Sequence, residues 1–355
     1  MRGIEGKVLS KTLSILYQRT MTRLSPETVW SMDEERLLSL LDSGKLMSDH
    51  RRILFYAPSF TYYRTSRFSS TTTDFPTISI TGEKCALNCG HCGGIVLNTM
   101  YPATTPEGLL ELCSQLKREG ATGCLISGGC LPNGSVPLGK FVDAIGRVKR
   151  ELELTVFVHT GVVDSGMAKA LKNAGVDAVL IDIVGSDETI RGVYNLNVTV
   201  ADYSESLNVL EKAGIAFVPH VVVGLDYGRL KGELQALKMI SKHMPSALVI
   251  IVFMPIRGTK MQNTEPPKPL DVAKVIATAR LMFPKTPLVL GCMRAKGMHR
   301  GETDLLAMKS GVDGIAFPAE EVINFAEAKG YAIDFSSLCC AQAHIDLKYP
   351  AGLNE

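Results

Sequence analysis

Three closely spaced cysteines, Cys85, Cys89 and Cys92, lie in one short segment of the chain with the spacing C-x3-C-x2-C. They follow directly on an apolar run that is predicted to be a β-strand. Thiolates are soft ligands that select zinc, copper(I) or an iron–sulfur cluster. A four-iron cluster needs a ligand for each iron, so three cysteines leave one iron open. The alternative is a structural zinc loop with His91 as the fourth ligand.

The elements that must position this loop alternate regularly from residue 77 onward. Apolar runs predict strands at 77–82, 123–128, 155–160, 178–183, 216–223, 247–254, 287–292 and 314–318. Amphipathic segments predict helices at 106–118, 137–152, 164–174, 201–213, 229–243, 269–282, 301–310 and from about 319. Apolar strands separated by helices favour an α/β fold with a parallel sheet, and eight units fit a closed (β/α)8 TIM-type barrel. An open, doubly wound sheet is the alternative.

Three regions follow from this pattern. Residues 1–70 are predicted to be an N-terminal helical leader or lid, with an amphipathic helix at 32–46 and an aromatic segment at 53–68. Residues 71–330 form the predicted barrel. Residues 331–355 are a C-terminal tail, or extension, that carries Cys339 and Cys340.

Composition excludes several classes of protein. The 355 residues include 38 Lys+Arg and 36 Asp+Glu, a net charge of +2, so there is no basic excess of the kind that binds nucleic acid. No apolar run approaches the ~20 residues that a membrane span needs. The amphipathic N-terminus does not resemble a signal peptide. We therefore expect a soluble cytoplasmic protein whose nine cysteines bind metal or do chemistry, with neither a nucleic acid nor a membrane as partner.

The cysteine loop resembles the signature of the radical S-adenosylmethionine (SAM) superfamily. The resemblance implies that the open iron of a [4Fe–4S] cluster on Cys85, Cys89 and Cys92 chelates the amino and carboxylate groups of SAM. The reduced cluster then cleaves SAM to a 5′-deoxyadenosyl radical. No side chain is expected to act as a catalytic acid or base, because the cofactors carry the difficult step.

Other strand ends also resemble SAM-binding segments of this superfamily. Gly128 and Gly129 stand where an open backbone approaches the methionyl amine of SAM, as glycine permits. A side chain at Gly129 is expected to collide with SAM and to leave iron binding intact. His91 stands where relatives often place an aromatic residue near the adenine, although it could equally be solvated. The further expected cofactor-binding residues are His159, Asp182, His220, Gly224 and Pro255. Each of these matches is weak alone, and a single histidine such as His220 is more often an ordinary barrel residue.

The remaining cysteines raise the question of a second cluster. Cys130 replaces the usual glutamate after the two glycines and offers a thiolate inside the cavity; the alternative is an inert buried cysteine. If the tail folds over the barrel mouth, four cysteines converge on an auxiliary [4Fe–4S] cluster: Cys130, Cys292, Cys339 and Cys340. Cys113 and Cys124 are assigned to the core.

The chain resembles the biotin synthase-like radical SAM proteins, and more narrowly one subunit of the two-component lipoyl synthases. The segments that carry this resemblance are 55–60, 78–94, 100–109, 125–138 and 291–297. It implies insertion of sulfur into an unactivated C–H bond of an octanoyl chain held on a carrier-protein lysine. The auxiliary cluster would be consumed as the sulfur source. The chain lacks the N-terminal cysteine-rich motif of the single-chain enzyme, and Ser336-Ser337 lie beside Cys339-Cys340 instead.

The same resemblance implies the partners: a second radical SAM subunit in a heterodimer, an octanoylated lipoyl carrier protein or peptide, and a reduced ferredoxin-type electron donor. Two other functions stay open. One is another biotin synthase-like reaction, a cofactor maturation or a carbon-skeleton rearrangement without sulfur insertion. The other is a zinc-bound structural or binding protein.

Overall fold

The computed structural model describes residues 24–47, 51–59, 61–70 and 73–347, and in these residues every strand joins one parallel sheet. The strands are β1 Arg52–Tyr56, β2 Thr77–Ser79, β3 Tyr101–Pro102, β4 Gly123–Ser127, β5 Thr155–His159, β6 Ala178–Asp182, β7 Phe217–Val223, β8 Leu248–Val252, β9 Leu288–Leu290, β10 Gly314–Ala316 and β11 Ala332–Ser336. Their spatial order is β11-β1-β10-β9-β8-β7-β6-β5-β4-β2-β3.

Helices connect the strands. They are α1 Pro26–Trp30, α2 Glu34–Asp42, α3 Pro106–Arg118, α4 Val142–Leu152, α5 Ser165–Asn173, α6 Asp187–Tyr194, α7 Val200–Ala213, α8 Glu233–Ile240, α9 Pro269–Met282, α10 Met298–Lys309, α11 Glu320–Ala328 and α12 Ala343–Asp346. Short 3-10 helices lie at Ile95–Thr99, Gly139–Phe141 and Cys340–Gln342. All predicted strands and helices from 77 onward are confirmed. Helix α6 was not predicted.

The eight predicted strands lie side by side in chain order, which confirms the TIM-like α/β layout. The sheet is a half-barrel, because in the described residues no ladder joins β11 to β3. An unpredicted strand explains this: β1 pairs with β10, and β11 then pairs with β1. The prediction that the region before residue 71 is helical is therefore wrong for residues 52–56.

Alternation along the parallel strands separates two cores. On β5, Val156 and Val158 pack under the helices, whereas Phe157 faces the inner core. The same period places Leu180 of β6 inside. Because successive side chains point to opposite faces, residues two positions further along a strand return to the inner face. The polar strand-end residues His159 and Asp182 therefore point into the barrel.

The leader and the tail occupy different sides of this barrel. In the described part of the leader, Val29, Leu37 and Leu41 pack against Ala273 and Ala277 of α9, on the outer helical layer. The tail returns after β11 into the inner core, where its segment 340–343 is buried. The tail therefore fills one part of the barrel interior and leaves the cysteine-loop end open. Residues 1–23 and 348–355 lie outside the described part.

No helix in the described residues is long and apolar enough to cross a membrane.

Candidate functional site: a cysteine loop at the mouth of an apolar cavity

Helix α6 and the residue after it hold the cysteine loop (residues 83–94) in place. The Gly90 N–H donates to the Val193 carbonyl at 2.6 Å. The Asn195 side-chain amide donates to the carbonyls of Leu87 and Asn88, at 3.1 and 2.8 Å. These contacts satisfy backbone groups that the irregular loop cannot pair with itself. A helix-start signal for α6 exists in the sequence, since Ser186 caps it and two acidic residues follow.

The sulfur atoms of Cys89 and Cys92 and a ring nitrogen of His91 lie within 4.8 Å of one another. Cys85 lies outside this group. The pKa of Cys89 is raised, first by its hydrogen bond with Cys92 and by burial, and to a smaller extent by Cys85 nearby. A structural zinc ion needs four donors at ~2.0–2.3 Å from one point, and only three gather here in the described residues. The thiols of Cys85, Cys89 and Cys92 fit an iron–sulfur cluster better than a single zinc ion, because each thiol then binds a different iron.

The electrostatics of the loop also suit a metal group. A hydrogen bond from the Cys89 thiol lowers the pKa of Cys92, and His91 adds to the effect. His91 Nδ1 is buried without a hydrogen-bond partner. The His91 ring packs against Tyr194, with centroids 5.1 Å apart. The loop therefore places a thiol whose pKa is lowered and a buried ring nitrogen beside two further sulfur donors.

The two glycines after β4 bring the backbone of this strand against the cysteine loop. A Cβ atom on Gly129 would lie 2.1 Å from the Lys84 carbonyl oxygen and 2.6 Å from Cys85 Cα. A Cβ atom on Gly128 would lie 3.1 Å from the Thr81 side chain. The Gly129 N–H donates to Thr81 Oγ1 at 2.7 Å. A side chain at Gly129 thus meets the cysteine loop itself, so the expectation that iron binding would stay intact is replaced.

A cavity of about 380 Å³ lies beneath the loop, a volume suited to one drug-sized ligand. The predicted residues that line it are Cys85, Cys89, His91, Cys92, Gly128, Gly129, Cys130, His159 and Asp182. Most of the remaining wall is apolar: Leu87, Val96, Leu97, Val136, Ile251, Met254, Ile256 and Met293. The cavity can hold a ligand with one polar end and an apolar remainder.

A half-buried carboxylate forms the polar end of the cavity. Asp182 Oδ1 lies 3.5 Å from His159 Nε2, and the His159 and His220 rings are 6.1 Å apart. Burial tends to raise the pKa of Asp182, but His159 outweighs it, with help from His220 and His91, and the pKa is lowered. Burial lowers the pKa of His220 to about 4. Asp182 is therefore ionised and His220 neutral at pH 7.

His220, Gly224 and Pro255 lie outside the cavity wall. His220 is buried, with Nδ1 3.1 Å from the Val218 carbonyl. Gly224 has a positive φ of 76°, and a Cβ atom there would lie 2.6 Å from Pro267. Its N–H donates to the buried Glu233 carboxylate at 2.8 Å. These residues support the strand ends from behind, whereas Met254 and Ile256, the neighbours of Pro255, face the cavity.

Cys130 belongs to the cysteine-loop end of the barrel. Its carbonyl accepts a hydrogen bond from Ala86 at 2.9 Å. Burial raises the pKa of its thiol to about 12, and Cys85, Asp182 and Cys92 add to the effect. Burial therefore disfavours the thiolate form of Cys130, and its role as a cluster ligand stays a prediction.

The tail cysteines gather instead around Cys292. The side chains of Cys292, Cys339 and Cys340 pack against the same inner core, and the charge of Cys339 acts on Cys292. Burial raises the pKa of Cys292 to about 11. The Cys340 thiol donates to the Cys339 sulfur, which lowers the pKa of Cys339. The four cysteines expected at one site thus divide into Cys130 and a group of three.

A fully buried ion pair anchors the segment that carries Cys292. Arg294 Nε and Nη2 contact the two Asp304 carboxylate oxygens at 2.7 and 3.0 Å. Arg294 Nη1 donates to the Gly291 carbonyl at 2.7 Å. Both side chains have no exposed surface. Such a bidentate pair fixes the geometry of the loop, and nothing in the sequence pattern indicated it.

Comparison with known proteins gives a family match and several relatives. Residues 79–229 match the model of the Radical SAM superfamily, so this segment of the chain is a radical SAM domain. Its relatives include biotin synthases. That of Hyphomonas neptunium is 27% identical over 250 residues, 67% of this chain and 75% of that protein. That of Zymomonas mobilis is 27% identical over 251 residues, 68% of this chain and 72% of that protein. The chain is therefore similar to biotin synthases over about two thirds of its length.

Two solved structures share the fold. Methylornithine synthase (PylB) has a TM-score of 0.58 at 18% identity, covering 87% of this chain and 93% of that chain. HydG, a maturase of the [FeFe]-hydrogenase, has a TM-score of 0.62 at 16% identity, covering 94% of this chain and 76% of that chain. At these identities the likeness concerns the fold alone.

Proposed function

We propose that the chain is a sulfur-inserting radical SAM enzyme, one subunit of a two-component lipoyl synthase. The observation that carries the proposal is the second thiol group of Cys292, Cys339 and Cys340, which the tail assembles beside the inner core. Three thiols packed together would repel one another as thiolates and lose solvation, and a bound metal group would offset both costs. The biotin synthase relatives support sulfur chemistry.

The cysteine loop would hold a [4Fe–4S] cluster through Cys85, Cys89 and Cys92, and bound SAM would supply the radical that removes a hydrogen atom from an unactivated carbon. The protein's own residues bind and orient. Gly128 and Gly129 keep the strand backbone close to the loop. The apolar wall excludes water and holds an alkyl chain, which raises the effective concentration of the reacting groups.

The proposed substrate is an octanoyl chain on a carrier-protein lysine. The apolar wall formed by Met254, Ile256 and Met293 suits such a chain, which brings no polar group of its own to the reacting carbon. A second radical SAM subunit and a ferredoxin-type reductant complete the proposed system.

One observation favours a second function, a rearrangement without sulfur insertion. The ionised Asp182, together with His91 and His159, gives the cavity a polar end. A rearrangement of a polar substrate would use that end and would need no second cluster. Iron content therefore separates the two functions.

Removing one member of the second thiol group should cost half of the iron. We expect Cys292→Ala and Cys340→Ala proteins, reconstituted anaerobically, to bind about half the iron and sulfide of wild type, as two equal clusters require. Reductive SAM cleavage should survive in both, while sulfur transfer to the octanoyl chain should stop. Iron and sulfide counting, with product analysis by mass spectrometry, is the measurement.

Two further variants sharpen this experiment. Cys130→Ala should keep full iron, because Cys130 lies at the cysteine loop, which already supplies three thiols. Cys113→Ala removes a buried cysteine of the outer core and controls for loss of packing. Full iron in both the Cys292→Ala and Cys340→Ala proteins would eliminate the second cluster and favour the rearrangement.

A further inference from the structure

The loops after β8 and β9 form one continuous rim of the cavity. The Val252 N–H donates to the Met293 carbonyl at 2.8 Å, which ties the ends of the two strands together. The Met261 N–H donates to the Gly90 carbonyl at 3.1 Å, which ties the β8 loop to the cysteine loop. His299 Nε2 lies 2.8 Å from the Pro267 carbonyl oxygen, and this contact joins the start of α10 to the end of the β8 loop. This rim is therefore hydrogen-bonded to the strand ends and the cysteine loop that form the cavity wall.

The rim carries a local excess of positive charge. Arg257, Lys260 and Lys296, here called the basic rim, are exposed, and in the described part of the chain none of them forms an ion pair. The other cations of these two loops are neutralised, since Lys268 pairs with Glu34 and Arg294 with Asp304. One exposed acid, Glu265, opposes the three free cations. The excess is local, because the whole chain carries only +2.

Exposed apolar side chains lie on the same face. Met298, beside the basic rim, is 94% exposed. Tyr62, Leu131 and Tyr227 lie on other loops that follow strands, and all are more than two-fifths exposed. Large apolar side chains on one face, ringed by charge, are typical of a protein-binding surface.

We propose that the basic rim and Met298 form the docking surface for an acidic carrier domain that delivers the apolar substrate into the cavity. This docking proposal rests on the proposed function. It adds the place on the protein where the carrier domain binds and the sign of the charge that attracts it. A substrate attached to a folded domain enters only if the domain seats at the mouth. A positive rim steers a domain whose surface around the substrate arm is acidic. Met254 and Ile256, next to Arg257, then receive the alkyl chain.

The test compares two triple charge reversals in the full-length reconstituted protein. The rim variant carries R257E, K260E and K296E. The control variant carries K169E, K242E and K285E, which are exposed residues on helices or on loops away from the mouth. The probes are an octanoylated lipoyl carrier domain and an octanoyl-lysine tripeptide. Binding is measured without turnover at 50 and 300 mM salt.

We expect the rim variant to bind the carrier domain at least tenfold more weakly than wild type at 50 mM salt. The difference should shrink at 300 mM, because salt screens exposed charges. Binding of the tripeptide and SAM cleavage should stay within about twofold of wild type, and the control variant should bind the domain normally.

Several results would contradict the docking proposal. They are a wild-type protein that does not bind the domain, a rim variant that binds it normally, and a control variant weakened as much as the rim variant. If the rim variant no longer binds the second radical SAM subunit but still binds the carrier domain, the rim is the binding surface for that subunit instead. If charge-dependent docking holds but neither probe receives sulfur, the docking surface stands and the proposed function fails.

Discussion

Alanine at Cys85, Cys89 or Cys92 is expected to abolish the reductive cleavage of SAM to 5′-deoxyadenosine. Each residue supplies one of three thiols in a single loop, and a cluster that loses a ligand cannot keep one defined open iron. The measurement is 5′-deoxyadenosine formed with dithionite after anaerobic reconstitution, and the expected loss is complete within detection.

The matched control is Cys113→Ala, which removes a buried thiol on α3 under the outer face of the sheet. This protein should bind iron and cleave SAM at the wild-type rate, though with lower thermal stability. Cleavage retained in all three loop variants would contradict the assignment of the cluster.

Gly129→Ala is expected to lower iron content and SAM cleavage together, by a hundredfold or more in the cleavage rate. The added methyl group would lie 2.1 Å from the Lys84 carbonyl oxygen and 2.7 Å from Cys85 Cβ, so the cysteine loop must move away from β4. Overpacking of this kind typically costs about 1–3 kcal/mol, and here the displaced atoms carry a ligand. Iron counting and 5′-deoxyadenosine assays measure both effects.

Gly139→Ala is the control, since a Cβ atom there meets nothing closer than 4.0 Å. It should leave iron and SAM cleavage unchanged. A Gly129→Ala protein with full iron but weakened SAM binding would show that the glycine contacts SAM first, as the sequence alone suggested.

The sequence was sufficient for the barrel strands and for the cysteine loop, because both are local patterns. The strand that begins at Thr77 and helix α3 with its Thr105 cap follow from periodicity and capping within a few residues. The three cysteines lie within eight residues of one another. No long-range contact is needed to predict either feature.

The sequence was insufficient where distant segments meet. Strand β1 enters the sheet only because β10 and β11 offer edges, which lie more than 250 residues away. Cys130 and Cys292 both end strands, yet one lies at the cysteine loop and the other beside the tail. The register of β6 and β7 pairs Asp182 with His220, and this pairing cannot be predicted from their spacing along the chain. Helix α6 is short, and its role depends on contacts with the cysteine loop.

The central claim, sulfur insertion at an unactivated carbon, is tested most directly with a carrier domain whose octanoyl chain is fully deuterated. Reconstituted enzyme, SAM, reductant and the second subunit are mixed anaerobically, and both products are analysed by mass spectrometry. We expect deuterium in 5′-deoxyadenosine and a sulfur-bearing chain on the carrier in comparable amounts. Deuterium-free 5′-deoxyadenosine, or deuterium transfer without any sulfur on the chain, would contradict the claim.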